Sequence, residues 1–179
     1  MKNFKSKAIK SLQLLPIHTI TIPTNKESNT YCKDVITLID DIKGIKSNIV
    51  YLDPPYNERQ YSKNYFPLNI IAKSPIDLES EPPLKGKTGI PADCFISPFC
   101  KKGEIIKNAF TTLLKGLNTE WIFISYNSEG ILSKTKMIDI LSIYGEPSVV
   151  ERDYKRFKSF EYNEDIEIKE YLFCLKVFH

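Results

Sequence analysis

Val35, Leu38, Ile39 and Ile42 stand at i, i+3, i+4 and i+7, the spacing of one apolar helix face. Asp34 precedes the stripe where an N-cap or first-turn acid belongs, and Gly44 follows it as a stop. The pattern then changes. Asn48-Ile49-Val50-Tyr51-Leu52 is a short, mostly apolar run ending at Asp53-Pro54-Pro55, as a buried strand of a parallel sheet would. The same unit recurs. Ile105, Ile106, Ala109, Phe110, Leu113 and Leu114 predict a second helix closed by Gly116, and Trp121-Ile122-Phe123-Ile124 a second buried strand. Met137, Ile138 and Leu141 predict a third helix closed by Gly145. Val149 and Val150 begin another strand, and residues 171–178 form a final one. Near the start, residues 17–22 are rich in β-branched side chains and stop at Pro23, and residues 25–29 read as a turn.

Helix followed by strand, repeated, predicts an α/β domain with a mostly parallel sheet. No helical pattern joins the last two strands, so they are expected to form an antiparallel hairpin at one edge. Residues 1–179 read as one domain. Residues 74–102 show no periodicity and hold Pro75, Pro82, Pro83, Pro91 and Pro98. That stretch is too long for a routine connection and is read as an irregular, functional or mobile insertion.

A chain of 179 residues, 42% hydrophobic, has room for one ordinary domain or part of a larger one, and is too apolar to be disordered. No apolar run approaches the roughly 20 residues that cross a bilayer, so no membrane partner is expected. Lys2, Lys5, Lys7 and Lys10 precede only a broken apolar stretch without a small-residue cleavage site, which is not a signal peptide. The net charge of +3 leans mildly toward anionic partners. Cys32, Cys94, Cys100 and Cys174 form no C-x-x-C pair, and His18 and His179 are the only histidines. This is poor material for a metal site, and reduced thiols suit a cytoplasmic protein.

Ligands of open α/β sheets bind beyond the carboxyl ends of strands. Two predicted strands end in polar sets there, Asp53-Pro54-Pro55-Tyr56 and Ser125-Tyr126-Asn127. Proline has no N–H and holds its predecessor extended, so the first set is a stiff turn that presents carbonyls. With the Asp53 carboxylate and the Tyr56 ring, it offers acceptors beside a stacking face. This suits a planar ligand bearing an amino group, such as adenine flipped out of a duplex. The exocyclic amine is a weak nucleophile because its lone pair is delocalised. Hydrogen bonds from it to Asp53 and to the Pro54 carbonyl would strengthen as the nitrogen gains positive charge. A plain strand-ending turn is the competing reading.

Asp53-Pro54-Pro55-Tyr56 resembles the signature of amino-group DNA methyltransferases, the adenine-specific (N6) kind. The likeness extends through Asn57-Glu58-Arg59-Gln60-Tyr61, Asn64-Tyr65, Ile70-Ile71-Ala72, Gly86-Lys87-Thr88-Gly89 and Phe99-Cys100. It continues in Ser125-Tyr126-Asn127-Ser128-Glu129-Gly130, Arg156-Phe157-Lys158-Ser159 and Glu170-Tyr171-Leu172-Phe173, and fits a bacterial restriction-modification subgroup. Phe66-Pro67 departs from it locally and is tolerable if Pro67 opens a helix. The resemblance implies a partial Rossmann-like fold that uses S-adenosyl-L-methionine. It also implies a catalytic set of Asp53, Pro54, Pro55 and Tyr56, and double-stranded DNA as partner. Relatives carry a Phe-x-Gly-x-Gly loop on their first strand, whereas the first glycine here is Gly44. The chain therefore resembles only the C-terminal part of such an enzyme, with the main cofactor motif missing. It is expected to work with a complementary N-terminal polypeptide or a cognate restriction system, or else to be an inactive remnant or a DNA-binding subunit.

Other residues take roles on the same footing. By resemblance Asp34 contacts the cofactor's adenosine, and Asp53 borders the cofactor as well; helix capping explains Asp34 equally well. Arg59, Gln60, Tyr61 and Asn64 follow the turn and are expected to hold the target strand or fill the gap left by the flipped base. Tyr126 and Asn127 are expected to line the adenine pocket. Lys87 sits in a basic loop suited to phosphate contact; Glu81 occupies the position where a nucleotide-binding loop would need glycine. Lys155, Arg156 and Lys158 interleave with aromatic residues, as in single-strand binding surfaces, and a solvated charged hairpin is the alternative. The acidic run from Glu161 to Glu170 is expected to face away from DNA.

Overall fold

The computed structural model describes residues 28–79, 94–154 and 168–178. The chain divides after Cys32, and every element below belongs to the unit Lys33–His179.

Helix α1 spans Val35–Ile42. Asp34 caps it, its carboxylate accepting from the Ile36 N–H at 3.1 Å, a bond worth about 1 kcal/mol. Strand β1, Ser47–Leu52, leads into the Asp-Pro-Pro-Tyr turn. Short helices α2 (Tyr61–Asn64), α3 (Phe66–Ala72) and α4 (Pro75–Glu79) follow, with Pro67 in the first turn of α3 as its fixed φ allows. The segment read as irregular thus carries a short helix near its start and a 3-10 turn, Pro98–Cys100, near its end. Residues 80–93 lie outside the described residues, as does the β-prone run at 17–22. Helix α5 (Glu104–Gly116), strand β2 (Thr119–Asn127), helix α6 (Lys134–Leu141), and strands β3 (Gly145–Tyr154) and β4 (Ile168–Val177) complete the order.

The described strands form one sheet in the order β1-β2-β4-β3. The pairing of β1 with β2 is parallel, and those of β2 with β4 and of β3 with β4 are antiparallel. The expectation of a mostly parallel sheet is therefore overturned. The reason is one insertion. Helical connections leave β1, β2 and β3 pointing the same way, but β4 enters between β2 and β3 and runs against both. The antiparallel partnership of β3 and β4 is present, with β3 at the edge and β4 inside. An edge position accommodates Pro147 of β3, which has no N–H to contribute to a ladder.

The core lies on one face of this sheet. Ile122, Ile124 and Tyr126 of β2, with Phe173 and Leu175 of β4, pack beneath Ile106, Phe110, Leu113, Met137 and Leu141 of α5 and α6. Each large apolar side chain buried there contributes roughly 1.5–3 kcal/mol. The opposite face is more open. Ile49 and Tyr51 on β1 are 61% and 62% exposed, beside the stacked rings of Trp121 and Phe123.

Two glycines read as helix stops have tighter duties. Gly116 is the last residue of α5, and a Cβ there would fall 2.0 Å from Ile39 Cγ2 of α1. Gly145 opens β3, four residues after α6 ends, where a Cβ would fall 2.0 Å from the Lys176 carbonyl oxygen. Backbone cannot swing aside as a side chain can, so Gly145→Ala should destabilise the fold by about 2–3 kcal/mol. Urea denaturation measures this, and an unchanged midpoint would contradict the tight β3–β4 contact.

Candidate functional site

Asp53 is the first residue beyond β1, and its carboxylate is exposed. It forms no ion pair or hydrogen bond among the described residues. The turn itself is held from the β2–α6 loop. The Ile131 N–H donates to the Tyr56 carbonyl at 2.9 Å. The Tyr126 hydroxyl reaches the same oxygen at 3.5 Å and accepts from the Leu132 N–H at 3.4 Å. Tyr126 is 2% exposed and belongs to the core, and burial pushes its hydroxyl pKa up, so it stays neutral. It was expected to line the adenine pocket; it is not among the cavity residues and braces the Asp-Pro-Pro-Tyr turn from beneath. Gly130 leaves the room for this, since a Cβ there would lie 2.1 Å from the Tyr126 ring.

In front of the turn opens a cavity of about 440 Å³ lined by Tyr56, Asn57, Arg59, Asn127, Glu129, Tyr154, Ile168 and Glu170. It sits at the carboxyl ends of β1, β2 and β3, where ligands of such sheets bind. Tyr56 and Arg59 are exposed at its rim. Asn127 is buried in its wall, 4% exposed. Glu170 is the register partner of Asn127 across the β2–β4 pair. Burial and then the Asp53 charge push its carboxyl pKa up. The acidic run was expected to face away from DNA; Glu170 turns into the cavity, within reach of the Asp53 charge.

The residues after the turn divide by task. Gln60 is a strut, its Oε1 accepting from the Ser97 N–H at 2.8 Å and its Nε2 donating to the Ser97 carbonyl at 3.3 Å. Tyr61 lies edge-on to Tyr65 with ring centroids 5.4 Å apart. Burial, then the neighbouring Tyr56, Tyr65, Asp53 and Cys100, raise its pKa. Tyr61 therefore belongs to the neighbourhood of the turn. Asn64 is exposed on α2. The Asp34 carboxylate is engaged in capping α1. Lys87, Lys155, Arg156 and Lys158 lie outside the described residues. Reasoning from sequence missed Asn57, Glu129, Tyr154, Ile168 and Glu170 as cavity residues. The period-2 alternation of β4 was the available signal, since it sends Ile168 and Glu170 to one face and Lys169 to the other.

No described helix is long and apolar enough to cross a membrane. Among the described residues no cluster of His, Cys, Asp or Glu could hold a metal ion.

Comparison with known proteins places these features. The family described as D12 class N6 adenine-specific DNA methyltransferase matches residues 1–140. Type II methyltransferase M.CviAII of Paramecium bursaria Chlorella virus 1 is 39% identical over 177 residues, covering 99% of this chain and 50% of that protein. Type II methyltransferase M.NlaIII of Neisseria lactamica is 36% identical over 159 residues, covering 89% of this chain and 44% of that protein. Type II methyltransferase M.FokI of Planomicrobium okeanokoites is 35% identical over 181 residues, covering 98% of this chain and 26% of that protein. The chain thus spans half or less of the length of these relatives. No solved structure gives a significant match.

Two outcomes follow from the geometry. Tyr126→Phe should cost about 1 kcal/mol of stability by removing the hydroxyl between the Tyr56 carbonyl and the Leu132 N–H; thermal denaturation checks it. Glu170 is an acid whose folded-state pKa is raised, so its charge weighs against folding once pH climbs through that pKa. Glu170→Gln should therefore raise the melting temperature at pH 8, with the gain vanishing toward pH 4.

Proposed function

The chain belongs to the D12 class N6 adenine-specific DNA methyltransferases, and we propose that it is the portion of such an enzyme that holds and activates the target base. The Asp-Pro-Pro-Tyr turn, with its open carboxylate at a strand tip beside a cavity, is the observation that carries this reading. In it, double-stranded DNA is the substrate and one adenine is flipped into the cavity. The Asp53 carboxylate and the Pro54 carbonyl accept the two hydrogens of its N6 amine. Pro55 keeps the turn stiff and free of competing donors, and Tyr56 stacks on the base. Both hydrogen bonds strengthen as positive charge grows on the nitrogen, so they stabilise the transition state more than the ground state. Arg59, Tyr61 and Asn64 face the target strand around the cavity mouth. Lys87, Lys155, Arg156 and Lys158 are assigned to phosphate contact on their charge and on the aromatic residues interleaved with the last three.

The methyl group comes from S-adenosyl-L-methionine, whose sulfonium carbon is the electrophile. The described residues do not by themselves fit this molecule. Asp34 is committed to its helix, and the sequence contains no Phe-x-Gly-x-Gly loop. Of the described glycines, only Gly103 has a left-handed φ, and it precedes α5 rather than following a strand. The remaining cradle is assigned to a complementary N-terminal polypeptide that completes a Rossmann-like fold. The half-length coverage of the relatives and the open sheet face bearing Ile49 and Tyr51 support that assignment. A restriction-modification setting is proposed on the same relatives.

In an assembly reconstituted with the complementary polypeptide, Asp53→Ala should lower methyl transfer on the order of 10²–10³-fold with little loss of DNA affinity. Tritium transfer and a gel-shift titration read the two effects, and unchanged turnover would remove the mechanism. The chain alone should bind S-adenosyl-L-methionine weakly or not at all in calorimetry; tight binding would mean that its own residues complete the cradle.

A further inference from the structure

Of the cavity side chains without a task once the amine is held by Asp53 and Pro54, two face each other across the β2–β4 pair. Asn127 ends β2 and is 4% exposed. Its Oδ1 accepts from the Glu129 N–H at 3.1 Å. That donor fixes which end of the amide is oxygen, so the Nδ2 group must point the other way. Nδ2 has no partner among the described residues, yet none of their fully buried side-chain nitrogens or oxygens is unsatisfied. The amide nitrogen therefore keeps an opening, and the cavity that Asn127 lines supplies it. Leaving a nearly buried donor without a partner is costly, and a ligand acceptor placed there would recover that cost. Glu170 is the second side chain. It faces the same cavity as the cross-strand partner of Asn127, and it lies near enough to Asp53 for their charges to interact.

At the end of the β2–β4 pair the wall thus sets a nearly buried donor, Asn127 Nδ2, against a carboxylate, Glu170. Its complement is a heterocycle with an amine next to a ring acceptor. Adenine presents this on its Watson–Crick edge as the N6 amine and N1. Hypoxanthine presents the reverse, with O6 an acceptor and N1–H a donor. Its oxygen would meet carboxylates, and its N1–H would meet the Nδ2 hydrogens.

We propose that Asn127 and Glu170 are the specificity-determining pair of this pocket: Asn127 Nδ2 donates to adenine N1, and Glu170, beside Asp53, repels a carbonyl oxygen in place of the amine. This rests on the reading of the cavity as an adenine pocket. Recognition is then both positive and negative, a bond gained by the right base and a repulsion met by the wrong one.

The test is a set of NMR titrations of the chain with adenosine, 1-deazaadenosine, 7-deazaadenosine and inosine. Adenosine should bind saturably and shift the Asn127 side-chain amide signal, and 7-deazaadenosine should match it. Inosine and 1-deazaadenosine should bind about tenfold more weakly, the factor equivalent to one lost hydrogen bond. Asn127→Asp keeps the oxygen for the Glu129 N–H and exchanges the donor for an acceptor. It should weaken adenosine about tenfold and leave 1-deazaadenosine unchanged. Glu170→Gln should narrow the gap between adenosine and inosine. The proposal is overturned by no saturable adenosine binding, by equal losses for adenosine and 1-deazaadenosine, by coupling to 7-deazaadenosine instead, or by an inosine gap that Glu170→Gln leaves intact. Methyl transfer to DNA is scored separately in the reconstituted assembly. Transfer that persists without the nucleoside coupling overturns the pair and spares the catalytic reading. Coupling without any transfer upholds the pair and counts against that reading.

Discussion

Two consecutive prolines deprive the Asp-Pro-Pro-Tyr turn of any backbone donor at positions 54 and 55. Such a turn cannot lock itself with its own N–H groups, so it must be gripped from outside. The grip is the Tyr56 carbonyl, which accepts the Ile131 N–H from the loop after β2. The Tyr126 hydroxyl adds a second contact to that oxygen from within the core. The geometry of an exposed carboxylate is thereby set by a fully packed ring. Gly130 belongs to the same device, because any side chain there would displace that ring. Rigidity at the strand tip is thus borrowed from the hydrophobic cluster beneath it.

The same arrangement separates two roles that look alike in a sequence. Tyr126 and Asn127 are adjacent, polar and at the end of one strand. Alternation sends Tyr126 to the helix-covered face and Asn127 to the cavity. Gln60 and Arg59 part similarly, one clamped to Ser97 and the other at the cavity rim. A polar residue near a site is a strut or a ligand contact according to which face it takes, and type alone does not say which.

The local features were legible for that reason and the long-range ones were not. The helices over residues 35–42, 104–116 and 134–141 follow from apolar spacing, and the strands from short apolar runs. The common direction of β1, β2 and β3 follows from the helices between them. What no periodicity records is where a strand inserts, so the place of β4 between β2 and β3 escaped, and with it the parallel majority. Glu170 escaped for the same cause. It closes a charged stretch in the sequence and reads as solvated, yet the register that sets it against Asn127 turns it into the cavity, within reach of the Asp53 charge. The Asp-Pro-Pro-Tyr turn was readable because its stiffness is a property of four consecutive residues.

The inner position of β4 also has a kinetic side. Its partners Thr119–Asn127 and Gly145–Tyr154 both precede it in the chain, so during synthesis each leaves the ribosome with an open edge toward the other. Neither edge is satisfied until Ile168–Val177 emerges and fills the gap. Closure of the sheet is therefore a late, long-range event, slow by the loop entropy it must overcome. A nascent chain stalled before that segment would expose two unpaired strand edges, the condition that invites aggregation or capture by a chaperone.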